Sequence, residues 1–234
     1  MNIAQRLLRF PLRAIPRRAV VPILSGPARG MRWVAGASTH GCWLGTYERE
    51  TAAEFARRVR PGMTVYDIGA NAGYYTLAAA ALVGRAGHVV AFEPVPRTLH
   101  ALRRHVDVNG LGQVVLVVGK AVADRSGRAA FGGDANEAKA HFTESGELIV
   151  ETVTIDALLA AREIPPPNVM KIDVEGAAAL VLTGARETIL TSRPCIFIET
   201  HVGEHGATTA LLEQLDYSVT CVSPKHGDFL ALPN

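Results

Sequence analysis

From residue 63 to residue 223 the chain alternates apolar runs of strand length with runs of helix length. This alternation limits the fold more than any other feature. MTVYDIG (63–69), HVVAFEP (88–94), QVVLVVG (113–119), VMKIDVEG (169–176), CIFIET (195–200) and YSVTCVS (217–223) read as strands. Helix-length stretches at 74–84, 95–109, 177–190 and 206–215 separate them, with a shorter one at 155–163. ELIVETVTI (147–155) reads as an extended edge segment. Strands joined by helices run parallel, and near-continuous apolar strands belong to a sheet covered on both faces. DFLAL (228–232) follows the 217–223 run too closely for a parallel crossover, so the last strand is predicted antiparallel. The fold class is therefore α/β, a doubly wound and mostly parallel sheet.

A chain of 234 residues, 48% of them hydrophobic, suffices for one such domain and an extension. VVPILSGPARGMRWVAG (20–36) reads as strand, Gly-Pro turn and strand, and 50–60 as a helix ended by Pro61–Gly62. The expected division is an N-terminal extension over 1–47 and one domain over 48–234. Seven arginines and no acid fall in 1–47, which leaves −5 on the rest of a chain whose total is +2. Within this basic arm, IAQRLLRF (3–10) reads as a short amphipathic helix stopped by Pro11 and Pro16. Peripheral membrane contact and packing on the domain or on a second subunit of a homo-oligomer are both compatible with it. No apolar run reaches the ~18–20 residues that span a bilayer, and arginines and prolines interrupt the place of a secretory core. The expected compartment is cytoplasmic. Nucleic acid is not an expected partner, because the body is acidic and no aromatic platform accompanies the arm. Cys42, Cys195 and Cys221 show no paired spacing, so neither a disulfide framework nor a zinc site is expected.

The stretch VYDIGANAGYY (65–75) marks the ligand site. In a doubly wound sheet ligands bind beyond the carboxyl ends of the strands, where strand order reverses. Gly69 and Gly73 allow a sharp turn and close backbone approach. A dinucleotide fingerprint needs a glycine where Asn71 stands, and Asp67 would repel a pyrophosphate while suiting a ligand with an ammonium group. Glu93 ends the next strand, 24 residues after Gly69, where a carboxylate can accept ribose hydroxyls, and Pro94 turns the chain away. An adenosine with a charged amino-acid tail and no phosphate is S-adenosylmethionine. An NAD-dependent oxidoreductase is disfavoured on the same residues.

VYDIGANAGYYTLAAA, VVAFEPVPRTLHALRRHVDVNGL, VMKIDVEGAAALVLTGARETIL and RPCIFIETH together resemble the FkbM family of S-adenosylmethionine-dependent methyltransferases, over about residues 43–201. HGCWLGTYE (40–48) resembles the segment that precedes the core in that family. The resemblance implies a class I methyltransferase (Rossmann-like) fold with seven strands, the last antiparallel. It also implies methyl transfer to a hydroxyl, most often of a sugar on a glycan or glycosylated metabolite. A polyketide or lipid hydroxyl is the alternative acceptor. By position it places Asp67, Gly69, Asn71 and Gly73 around the methionine part, and Tyr75 belongs to the cofactor set. Glu93 falls at the ribose, Pro94 belongs to the cofactor set, and Lys120, Ala121 and Val122 flank the adenine. Asp124 lies within reach of the adenine amino group, and Tyr47 and Glu48 close over the cofactor.

A sugar hydroxyl is a weak nucleophile, so its proton needs an acceptor. KIDVEG places Lys171, Asp173 and Glu175 on one side if the strand continues, with Asp173 and then Glu175 as the expected base and Lys171 tuning them or, if burial neutralises it, acting as a base itself. Asp173 also belongs to the cofactor set. IETH adds Glu199 and His201, the latter as a further base candidate. A divalent ion on Asp173 and a neighbour is compatible, although no metal spacing indicates one. The polar insert FGGDANEAKAHFTESGE (131–147), with Asn136, Glu137 and His141, is expected to reach over the site and select the acceptor.

Overall fold

The structure, a computed structural model, describes residues 15–132, 141–142, 148–200 and 203–234. An antiparallel hairpin, β1 (Val20–Pro22) and β2 (Arg32–Val34), precedes two helices, α1 (His40–Leu44) and α2 (Arg49–Arg58). The parallel core begins with β3 (Thr64–Ile68), α3 (Tyr74–Val83), β4 (His88–Phe92), α4 (Pro96–Val108) and β5 (Val115–Val118). Then come β6 (Ala121–Val122), β7 (Gly127–Gly132), β8 (His141–Phe142), β9 (Leu148–Val153) and α5 (Ile155–Ala160). The chain closes with β10 (Val169–Ile172), α6 (Ala178–Gly184), α7 (Arg186–Ser192), β11 (Cys195–Glu199), α8 (His205–Gln214), β12 (Tyr217–Ser223) and β13 (Asp228–Pro233).

Seven strands form one sheet in the order β12-β13-β11-β10-β3-β4-β5. β10, β11, β3, β4 and β5 pair in parallel, while β13 lies antiparallel between β11 and β12. The final hairpin is thus as the sequence predicts. From β3 the chain steps outward through β4 to β5, then returns to lay β10 on the other side of β3. Strand order reverses between β3 and β10, and that is where a crevice opens at the carboxyl ends.

Period-two alternation divides the buried strands between two cores. Val65 of β3 joins a cluster with Trp33, Trp43, Phe55, Leu77, Leu102 and Phe197. Its neighbours Tyr66 and Ile68 join Phe92, Ile155, Ile172, Val181 and Leu212 on the other face. Residues 20–47, expected as an extension, therefore share the first core through Ile23, Trp33 and Trp43.

Three elements differ from the sequence reading. β10 ends at Ile172 rather than Gly176, because 173–177 turn toward α6. The helix expected over 177–190 is two helices meeting at Ala185, which has a non-helical φ of −116°. The 147–155 run does not edge the main sheet but pairs with β6 and β7 in a separate four-stranded sheet, ordered β6-β9-β7-β8. Two of those strands are only two residues long, too short to leave a period in the sequence. The 3–10 helix and the arm's first residues lie outside the described residues. No helix among the described residues is long and apolar enough to cross a membrane.

Phe55 of α2 is fully buried between the rings of Tyr75 and Phe197. Phe55→Ala should cost about 3–5 kcal/mol in denaturant unfolding while keeping a single transition. A loss under about 1 kcal/mol, or a second transition, would show that α2 does not belong to the core unit.

Candidate active site

The loop between β3 and α3 is built on three residues with positive φ: Gly69 (83°), Asn71 (50°) and Gly73 (93°). The amides of Gly69 and Ala70 donate to the carbonyl of Phe92 at 3.0 and 2.9 Å, tying the loop to the end of β4. A Cβ on Gly69 would overlap the main-chain oxygen of Asp173, so only glycine lets the loop abut the end of β10. A Cβ on Gly73 would likewise overlap the Leu102 side chain of α4, 2.5 Å away. Asn71 turns its Oδ1 onto the amide of Ala72 (2.7 Å), the local hydrogen bond that lets asparagine hold a left-handed conformation.

Glu93 is held by three donors: the amides of Asn71 and Val95 and the hydroxyl of Thr98, each at 2.8 Å. Burial raises its pKa against the lowering effect of these bonds. Two donors meet Oε1 and one meets Oε2, so Oε2 keeps an acceptor direction. Glu93 lines a cleft of about 220 Å³, together with Gly69, Asn71, Pro94, Ala121, Val122, Phe131, Tyr47, Asp173, Glu175 and Glu199. Val95, Ala121, Val122 and Phe131 give one end apolar walls, and Asp173, Glu175 and Glu199 make the other acidic.

Beneath the acidic end lies Lys171, fully buried in mid-strand with its Nζ 3.5 Å from Asp173 Oδ2. This is an ion pair without hydrogen-bond geometry, and the Nζ also stands 5.1 Å from the centre of the Tyr75 ring. Burial works to lower the Lys171 pKa, but Asp173, Glu48, Asp228 and Glu199 outweigh it, and the net shift is upward. Carboxylate oxygens of Glu48, Asp173 and Glu199 all lie within 4.8 Å of one another. Three such hard oxygens could hold a divalent ion, but the adjacent ammonium works against a second cation. Glu199 is pushed up to about 8 by burial and then by Asp173. Glu48 caps α2 with a left-handed backbone (φ 39°, ψ 51°), and accepts the Tyr75 hydroxyl at 2.9 Å.

Asp67, Gly73, Tyr75 and Glu48, expected beside the cofactor, are buried and do not line the cleft, although a Glu48 carboxylate oxygen lies within 4.8 Å of those of Asp173 and Glu199. Asp67 is buried under the loop, accepting the Thr76 hydroxyl at 2.5 Å, with its pKa raised by burial to about 6. Lys171, expected to share a side with Asp173 and Glu175 along a continuous strand, lies under the cleft, buried within β10 against the Tyr75 ring, while Asp173 and Glu175 follow the strand's end at Ile172 and line the cleft. Asp124 is exposed and belongs to a separate groove with Arg125 and Thr152. His201, Asn136 and Glu137 lie outside the described residues, as does the side chain of His141. Sequence reasoning noted Glu199 only as the neighbour of His201 and missed Asp228. Asp228 starts β13 opposite Glu199, and its only sequence signal is a lone acid before an apolar strand.

A sequence profile of the methyltransferase FkbM domain matches residues 67–219, more than half of the chain. The chain belongs to the methyltransferase FkbM family. The hexuronic acid methyltransferase AglP of Haloferax volcanii is 30% identical over 148 residues, which cover 59% of this chain and 56% of that protein. The chain thus matches a little over half the length of this curated relative. The crystal structure of methyltransferase FkbM from Methylobacillus flagellatus superposes with a TM-score of 0.53 at 17% identity, covering 98% of this chain and 60% of that one. Precorrin-6y C5,15-methyltransferase from Geobacter metallireducens gives 0.51 at 16% identity, covering 79% and 86%. The fold is that of the class I methyltransferases, and S-adenosylmethionine is the cofactor of this FkbM domain.

The cleft fits that group by its chemistry. It offers an apolar slot at Ala121 and Val122, a carboxylate with one acceptor direction left at Glu93, and an acidic end for an ammonium.

Glu199 also gives the FkbM domain a pH signature. A carboxyl whose folded pKa exceeds its unfolded value stabilises the fold below the unfolded pKa, and that stability is lost as pH rises through the folded one. For Glu199 the window runs from 4.5 to about 8. Asp67, Glu48 and Glu93 shift in the same direction. Glu199→Gln should flatten the fall in Tm between pH 6.5 and 8.5. A fall as steep as the wild type's would show that Glu199 is not the group titrating there.

Proposed function

We propose that this protein transfers a methyl group from S-adenosylmethionine to a hydroxyl of a sugar. The observation that carries the reading is the placement of Asp173 and Glu199 in the same cleft as Glu93 and the glycine loop. When bound, S-adenosylmethionine supplies a methyl carbon already activated by a sulfonium. Glu93 would take a ribose hydroxyl on Oε2, the 69–73 loop and Asp173 would hold the amino-acid end, and Ala121 and Val122 would flank the adenine. The chain's remaining task is to align the acceptor hydroxyl and remove its proton. Glu199, with a pKa near 8, is matched to take that proton, and Asp173 beside it is the second acceptor. Lys171 under the pair offsets the negative charge of the two carboxylates without entering the cleft.

The sugar acceptor is supported by the similarity to the hexuronic acid methyltransferase AglP. Against a dinucleotide oxidoreductase stand Asn71 at the place of the second glycine and the acidic wall. Calorimetry with S-adenosylhomocysteine and with NAD separates these two, binding of the first alone being expected. Asp173→Asn and Glu199→Gln should each lower turnover on a hexose or hexuronic acid acceptor by about 10²–10⁴-fold. Wild-type kcat should rise with pH through about 8 as Glu199 loses its proton. Binding of NAD instead, or full turnover in both variants, would overturn the reading.

A further inference from the structure

The β1–β2 hairpin lies before residue 67, outside the stretch matched by the family, yet it is bonded to the loop proposed to hold the cofactor. The bridge is His105 of α4, fully buried. The amide of Val34 in β2 donates to His105 Nε2 at 2.8 Å. On the other side of the ring, Nδ1 is 2.7 Å from the carbonyl of Ala72, between Asn71 and Gly73. A backbone amide can only donate and a carbonyl only accept, so these partners fix the neutral tautomer with its proton on Nδ1. Burial pushes the His105 pKa down to about 4, which keeps the ring neutral near pH 7. Protonating Nε2 would set two N–H groups against each other.

Two further contacts clamp the hairpin on α4. Trp33 stacks on the His105 ring, with centroids 4.0 Å apart and planes 17° from parallel. One turn later, Asn109 accepts the amide of Arg32 at 2.7 Å and donates to its carbonyl at 2.8 Å. The loop itself has reason to need fastening. Three of its five residues hold positive φ, a conformation that costs free energy at Asn71 and persists only where the surroundings impose it. Asn71 in turn positions Glu93 through its amide.

We propose that the β1–β2 hairpin is a positioning element of the cofactor site, holding the 69–73 loop in its binding conformation through His105. The inference rests on the reading of that loop as the S-adenosylmethionine site. Because hairpin and loop are bonded in series, ligand binding at the loop must in turn tighten the hairpin.

The test compares His105→Phe, which keeps a ring on Trp33 but loses both bonds, with His105→Gln, whose amide can donate and accept. S-adenosylhomocysteine should bind His105→Phe about tenfold more weakly than wild type, the change expected for one to two lost hydrogen bonds. His105→Gln should recover affinity to within about threefold, and the KM for S-adenosylmethionine should rise more than kcat falls in His105→Phe. Hydrogen exchange on the wild-type protein gives an arm independent of any variant's folding. Saturating S-adenosylhomocysteine should slow exchange of the Val34 amide, although Val34 is outside the cleft. Unchanged affinity in His105→Phe, or Val34 exchange indifferent to ligand, overturns the inference while leaving the cofactor site standing. A wild-type protein that binds no S-adenosylhomocysteine overturns the cofactor reading itself, and this inference with it.

Discussion

The site is organised by one buried ammonium. Lys171 sits in mid-strand with no exposed surface, and Asp173, Glu48, Asp228 and Glu199 all act to keep it charged. These carboxylates come from the end of β10, the start of α2, the start of β13 and the end of β11, elements far apart in sequence. Desolvating one cation and several carboxylates is costly, and the arrangement holds because the charges offset one another at short range. Four carboxylates against one ammonium leave an excess of negative charge, which adds to burial in driving Glu199 toward its protonated form. The same excess makes the wall of the cleft suited to an ammonium-bearing cofactor and to a proton leaving an acceptor hydroxyl.

Around this centre the backbone is held tightly. Gly69 is pressed against the main chain of Asp173, so the 69–73 loop abuts the acidic wall of the cleft with no room for a side chain between them. Glu93 ties the same loop to the start of α4, and Glu48 reaches the cluster from a strained left-handed cap. The hairpin behind the loop extends this frame into residues that the family profile does not cover.

Much of this was legible in the sequence. Strand–helix alternation yielded the sheet, and the short 223–228 connection yielded the antiparallel ending, because both depend on local periods and distances along the chain. Asp67, Asn71, Glu93 and Asp173 could be singled out because each ends a strand or sits in a glycine turn. What escaped depends on pairing between distant segments. Nothing local says that Asp228 will stand opposite Glu199, that Val34 will bond His105, or that the two-residue strands β6 and β8 will pair. Nor does strand alternation show that Lys171 stays buried against Tyr75 beneath the cleft, or that β10 ends at Ile172 before Asp173.

The claim that Lys171 holds the acidic cluster together is tested most directly by the stability of Lys171→Met, which keeps most of the side chain's volume and removes its charge. Denaturant unfolding should show a loss of about 3–5 kcal/mol at pH 8, where the carboxylates are left without their cation. The loss should shrink at pH 5, as the carboxyls take up protons in the folded state. A loss of equal size at both pH values, or none at pH 8, would contradict the account.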